Sequence, residues 1–163
     1  MTNDPSSPVC YAAQADDAYM GYAPRDELLA ALNELLEAER AGAKVALASS
    51  KPETNGAYTN LMQRVRADEA RWCAMLTCQI GRLGGLPSDE TGAFHQKALA
   101  IADPLDRLIF LNRGQAWVVR RLEALLRRVR DDDLHRHLKD MLESHRANIE
   151  ATASYLAIAN NPT

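Results

Sequence analysis

Four stretches of this chain repeat apolar residues at steps of three and four, and each carries a polar residue inside the stripe. In the first, Leu32, Leu35 and Leu36 lead to Glu39, with Ala43 and Ala46 beyond it. In the second, Met62 and Val65 lead to Glu69, followed by Trp72, Leu76 and Leu83. The third runs Leu108, Asn112, Gln115, Val119, Leu122, Leu126, and the fourth runs Leu134, Leu138, Leu142, His145, Ile149, Leu156. Such spacing keeps each set on one face of a helix. A charge inside an apolar stripe is costly unless it is paired or binds a metal. Finding a polar group near the middle of all four stripes therefore constrains both the fold and the place where chemistry could occur.

Composition supports helices over sheet. Aromatic residues are 6% of the 163, and alanine, leucine, arginine and glutamate are abundant. A chain of this length fits one domain with a real core. The net charge of −3 offers no general attraction to nucleic acid or anionic lipid. No apolar run approaches membrane-spanning length. Met1 to Pro8 has neither a basic run nor an apolar core, so no secretory signal is expected. Cys10, Cys73 and Cys78 have no framework spacing; Cys73 and Cys78 would point about 140° apart on one helix. Unbridged thiols fit a reducing compartment, and the expected location is the cytoplasm.

Punctuation places the elements. Residues 1–23, with Pro5, Pro8, Tyr11, Tyr19 and Tyr22, read as an extended lead-in whose tyrosines lie against the bundle or a partner subunit. The bundle occupies 24–159 and a short tail 160–163. Long helices are predicted near 25–49, 57–83, 104–130 and 132–159. Pro24, Asp26 and Glu27 favour the first start, and Gly84-Gly85 the second stop. Asp103 caps the third helix with Pro104 in its first turn, and Asp131 to Asp133 begin the fourth. Connections are thus short, long, short, and the long one has room for a short helix around Ala93 to Ile101. A helix of 25 residues is roughly 38 Å long, and a connection spanning 84–102 reaches roughly 60 Å when extended. The chain can therefore cross the length of the bundle between the second and third long helices, making those two parallel. The expected fold is all-α, a four-helix bundle with one long crossover.

On these residues the chain resembles the ferritin-like superfamily over 25–159. The likeness rests on the layout and on Leu-Glu-Ala-Glu-Arg-Ala-Gly in the first helix, Asp-Glu-Ala-Arg-Trp in the second and Glu-Ser-His-Arg-Ala-Asn-Ile in the fourth. It is closer to small uncharacterised bacterial ferritin-like proteins than to cage-forming storage ferritins. The resemblance implies a di-iron site made of one Glu from each of two helices and a Glu-x-x-His pair from each of the others. Carried over, Glu39 matches the first Glu and Glu69 the Glu of the second helix, where Trp72 replaces the His. Gln115 takes the place of the third-helix Glu. His145 keeps the His of the fourth helix, with Leu142 where its Glu would stand.

Two readings follow. In one, Glu39, Glu69, Gln115 and His145 hold at most one divalent ion of iron, manganese or zinc. Any redox chemistry, including a role in oxidative stress, would then belong to that metal. The three ionisable residues would be ligands and Gln115 would orient a bound water or oxygen species. In the other, the four groups hydrogen-bond to one another without metal, and the bundle serves as an interaction protein that has lost its ancestral chemistry. The expected assembly is a homodimer, with no nucleic-acid or membrane partner. Arg120, Arg121, Arg127, Arg128 and Arg130 read as a solvated corner neutralised by Asp131 to Asp133, and Cys73 as packing.

Overall fold

The computed structural model describes residues 16–51 and 56–160. Most of the expected lead-in, including Tyr11, the turn around Pro52 and Asn55, and the last three residues lie outside them. The elements are α1 (Arg25–Ser49), α2 (Gly56–Arg82), α3 (Phe94–Leu99), α4 (Pro104–Leu126) and α5 (Asp132–Ala159). None of these helices is long and apolar enough to cross a membrane.

The helix ends follow local chemistry. Asp103 accepts from the amides of Leu105 and Asp106, both at 2.9 Å, with Pro104 opening α4. Asp131 accepts from the Leu134 amide at 2.7 Å to open α5. These carboxylates satisfy donors that a helix start leaves free. At the end of α2, the Gly85 amide reaches Ile80 O and the Gly84 amide reaches Gly81 O. That paired closure requires a positive φ, and Gly84 supplies it at 70°. Arg25 binds the exposed carbonyls of Leu83 and Gly84, tying the start of α1 to the end of α2.

The register is legible in the contacts between helices. Tyr58 donates to the Pro104 carbonyl at 3.3 Å, and Gln115 contacts Glu69; both pairs are 46 residues apart. A constant offset means that α2 and α4 run parallel. In contrast, Glu34 meets Arg121 and Glu27 meets Arg128, so α1 and α4 are antiparallel. The hairpins α1/α2 and α4/α5 pack most closely, while α1 meets α4 and α2 meets α5 more thinly. The two parallel pairs lie on the diagonals. This is the crossover topology expected from the loop lengths.

The crossover is pinned to α1. Asn33 accepts from the Ser88 amide at 2.7 Å and donates to the Leu86 carbonyl, while Ser88 Oγ donates to Glu37 at 2.6 Å. The chain then turns into α3, which lies over the seam between α1 and α4. Phe94 of α3 stacks on Phe110 of α4 with ring centroids 4.9 Å apart.

Three expectations need correction. The helix expected to reach Arg130 ends at Leu126. The chain leaves it so that Val129 is buried against the bundle and the Arg128 carbonyl accepts from the Ala23 amide at 2.8 Å. Tyr19 does not lie against the bundle, the first of the two places expected for it, but is 86% exposed in the single chain. The turn closed by Met20 N–H to Asp16 O and Tyr22 N–H to Asp17 O holds it at the tip, whereas Tyr22 is half-buried. The arginine corner is neutralised from elsewhere: Arg121 pairs with Glu34, Arg128 with Glu27 and Arg130 with Asp17. Asp133 instead pairs with Arg82 and Arg136.

Candidate metal centre

Two apolar cores divide the bundle. One gathers Leu32, Leu36, Trp72, Leu76, Leu122, Leu138 and their neighbours; the other gathers Val45, Tyr58, Met62, Val65, Ala98 and Leu108. The buried layer between them is polar and contains Glu39, Glu69, Gln115 and His145. Each of the four long helices contributes one of these residues near its midpoint, so hairpin pairing brings all four to one depth.

His145 is held at both ring nitrogens. Its Nδ1–H donates to the Met141 carbonyl at 3.0 Å, and its Nε2 faces Glu39 Oε1 at 3.0 Å. Across the other diagonal, Gln115 Nε2 donates to Glu69 Oε1. Glu39 and Glu69 also lie within hydrogen-bonding reach of each other. Ligand atoms of Glu39, Glu69 and His145 all fall within 4.8 Å of one another. Two oxygens of the layer, Glu39 Oε2 and Gln115 Oε1, have no hydrogen-bond partner.

Burial dominates the protonation of this layer. It raises Glu39 from 4.5 to about 8, helped by the charge of Asp68 and opposed by the hydrogen bond from Glu69. Burial likewise raises Glu69 well above the ordinary carboxylate range, followed by the negative charge of Glu39, with His145 and Gln115 acting the other way. His145 is lowered, chiefly because burial disfavours an imidazolium. The layer thus favours neutral groups unless a cation enters it.

Trp72 and Leu142, which stand where the resemblance implied a His and a Glu, offer no metal ligand. Trp72 is buried and donates its indole N–H to Ser144 Oγ at 3.3 Å. Leu142 belongs to the larger apolar core. Cys73 is half-buried, and burial followed by the charges of Glu39 and Glu69 pushes its thiol up to about 12. Such a thiol is a poor nucleophile, in keeping with a packing role.

Two residues of the layer stood inside the quoted motifs without being given a role. A Cβ on Gly42 would come 2.6 Å from Glu69 Oε1, so only a glycine leaves room for that carboxylate. The signal was available: Gly42 sits mid-helix, one turn after Glu39, at a position that weakens an isolated helix. Asn148, one turn after His145, is buried and donates to Asp68 at 3.0 Å. Its i+3 spacing from His145 was the clue.

Antiparallel hairpins, parallel diagonals, a long crossover and a central layer of acids with one imidazole define a ferritin-like bundle. In agreement, the structure is similar to the crystal structure of ferritin like, diiron-carboxylate proteins from Bacillus anthracis str. Ames. That match has a TM-score of 0.69 and 19% identity, covering 81% of this chain and 96% of the other. Residues 26–154 match a family model described as Domain of unknown function (DUF6306), and the chain belongs to that family. A comparison with curated proteins finds no match.

Proposed function

We propose that the protein holds one divalent metal ion at the bundle centre through Glu39, Glu69 and His145. The observation that carries this reading is the convergence of three buried donor atoms within 4.8 Å of one another. The unpartnered Glu39 Oε2 supports it, because a buried carboxylate oxygen without a partner is expensive. His145 also has the arrangement of a ligand: Nδ1–H is anchored on a carbonyl, leaving the Nε2 lone pair facing the acids. Two carboxylates and a neutral imidazole balance one divalent ion. A second ion would need charge that Trp72 and Leu142 do not supply. Oxygen and nitrogen donors of this kind suit iron, manganese or zinc.

Iron or manganese, when bound, supplies one-electron redox chemistry. The likeness to a protein described as diiron-carboxylate supports iron among these ions. The chain's own residues hold the ion, with Gln115 fixing the orientation of Glu69, and the two apolar cores bound the layer along the bundle axis. As to setting, the free thiols of Cys73 and Cys78 support the cytoplasm. The exposed Tyr19 and Met20 support assembly as a homodimer.

The 3.0 Å contact between Glu39 and His145 favours a second reading. A protonated Glu39 donating to Nε2 satisfies the imidazole without metal, and the bundle would then act through its surface. Elemental analysis of untagged protein, with calorimetry using Fe(II), Mn(II) and Zn(II), separates the two. We expect one ion per chain and a rise in melting temperature on addition. Absence of both heat and shift leaves the metal-free interaction protein.

A further inference from the structure

We propose that the cavity between α1 and α4, beneath the crossover helix α3, binds a small neutral ring compound bearing an N–H or O–H donor. The cavity has a volume of about 510 Å³, within the range of small-molecule pockets. Phe94, Phe110, Trp117 and Val118 line it, and the two phenyl rings are stacked. Aromatic walls of this kind take a flat apolar body. The crossover can lie this low because Gly114 has no side chain; a Cβ there would stand 2.6 Å from Phe94 Cζ.

The polar requirement comes from the floor. Glu69 and Gln115 line the pocket, and Gln115 is buried with its amide N–H given to Glu69. Its Oε1 has no partner. That oxygen is closed to water as the side chain stands, so a donor on the occupant meets it when the amide turns toward the cavity. The charges around the cavity set no preference for an ion. Glu34 and Glu37 are offset by Arg113 and Arg120, and both acids are already engaged, by Arg121 and Ser88. The pocket therefore selects ring shape and a donor, and offers a charged occupant no free counter-charge. None of these features requires an ion in the central layer, so this inference stands apart from metal binding.

The test is an NMR titration of the full chain, freed of metal by chelator, with three probes: phenol, toluene and benzoate. Phenol should give saturable amide shifts at Gly114, Gln115 and Trp117, binding about tenfold tighter than toluene and benzoate. Gln115→Leu should erase the preference of phenol over toluene. Ala38→Met, which adds bulk to a residue lining the cavity, should weaken both by about tenfold while leaving the circular dichroism unchanged. The second variant keeps the test decisive if the first does not fold. Repeating the titration with Zn(II) present separates the two sites, since phenol binding without zinc uptake upholds the pocket alone. Phenol shifts that never saturate, or that fall only outside this cavity, overturn the proposal. So does a Gln115→Leu protein that folds and keeps the preference for phenol.

Discussion

The two diagonals of the central layer are built on the same acid and differ in its partner. On the α1/α5 diagonal, Glu39 faces an imidazole; on the α2/α4 diagonal, Glu69 faces an amide. An imidazole can take or release a proton and offers a lone pair, whereas an amide only donates from one end and accepts at the other. Each diagonal keeps one oxygen without a partner, Oε2 of the acid Glu39 on the first and Oε1 of the amide Gln115 on the second. Glu69 is confined by Gln115 and by the absence of a side chain on Gly42. We read the α1/α5 diagonal as the exchangeable half of the layer and the α2/α4 diagonal as its fixed half. The ion should exchange against Glu39 and His145, while Glu69, which also holds a proton without metal, is kept in place.

Removing the exchangeable acid is the harshest way to break this contrast. Glu39→Ala should abolish uptake of Fe(II), Mn(II) and Zn(II) in calorimetry, since Glu69 alone leaves a single negative charge. The rise in melting temperature with added metal should vanish in the same variant, as linkage requires. Uptake that survives the substitution would show that the ion is held elsewhere.

The next effect is pH dependence. Glu39 has a folded pKa of about 8 against 4.5 when unfolded, and Glu69 is shifted in the same direction. Between those values the folded, metal-free protein holds protons that the unfolded chain has released. Their stabilisation is complete below about 4.5 and is lost as pH rises through about 8. His145, lowered in the fold, has the opposite sign and contributes stability above its unfolded value. The chelated protein should therefore show a melting temperature that declines from about pH 6 to about pH 9, and Glu39→Gln should flatten this decline. Metal affinity should climb over the same interval, because the ion displaces those protons. Proton release on binding, read from calorimetry in buffers of different ionisation heat, checks the coupling directly.

Weakening the fixed half should cost less than losing a ligand. Gln115→Leu should reduce metal affinity by about 10- to 100-fold, the usual effect of removing a group that orients a ligand. The number of ions bound should remain one. A loss as complete as that of Glu39→Ala would make Gln115 a ligand in its own right.

The smallest effect compares two glycines in helices. At Gly42 an added methyl collides with the Glu69 carboxylate, while at Gly81 it meets nothing within 4 Å. Gly81→Ala should gain about 0.5–1 kcal/mol from helix propensity. Gly42→Ala should lose about 1–3 kcal/mol despite the same intrinsic gain, because the crowded carboxylate must shift. Thermal denaturation of the two variants side by side gives the answer. Equal gains at both positions would show that Glu69 is free to move.

Much of this architecture was readable in the linear order of residues because it depends on local causes. Asp103 with Pro104, and Asp131, are caps whose hydrogen bonds reach only two or three residues ahead. Gly84-Gly85 closes α2 through bonds within five residues. The short helix Phe94–Leu99 falls inside the segment expected to hold one. The end of α4 was misplaced for the opposite reason. Arg127 to Arg130 have no helix breaker among them, and the departure is set by Ala23 and by burial of Val129 against distant helices. The exposure of Tyr19 likewise depends on a turn that an aromatic side chain does not announce.

The polar layer divides along the same line. Helical periodicity and loop length determined by themselves that Glu39, Glu69, Gln115 and His145 share a depth, because side-chain direction along a helix follows from residue number. Which of them would pair was decided only by the tertiary structure. The crossover makes α2 parallel to α4 and places the diagonals opposite each other, so Glu39 meets His145 and Glu69 meets Gln115. The need for Gly42, the seating of Phe94 against Gly114 and the cavity beneath α3 were also decided there. These features depend on how closely two helix surfaces approach, and that distance is set by every side chain between them at once.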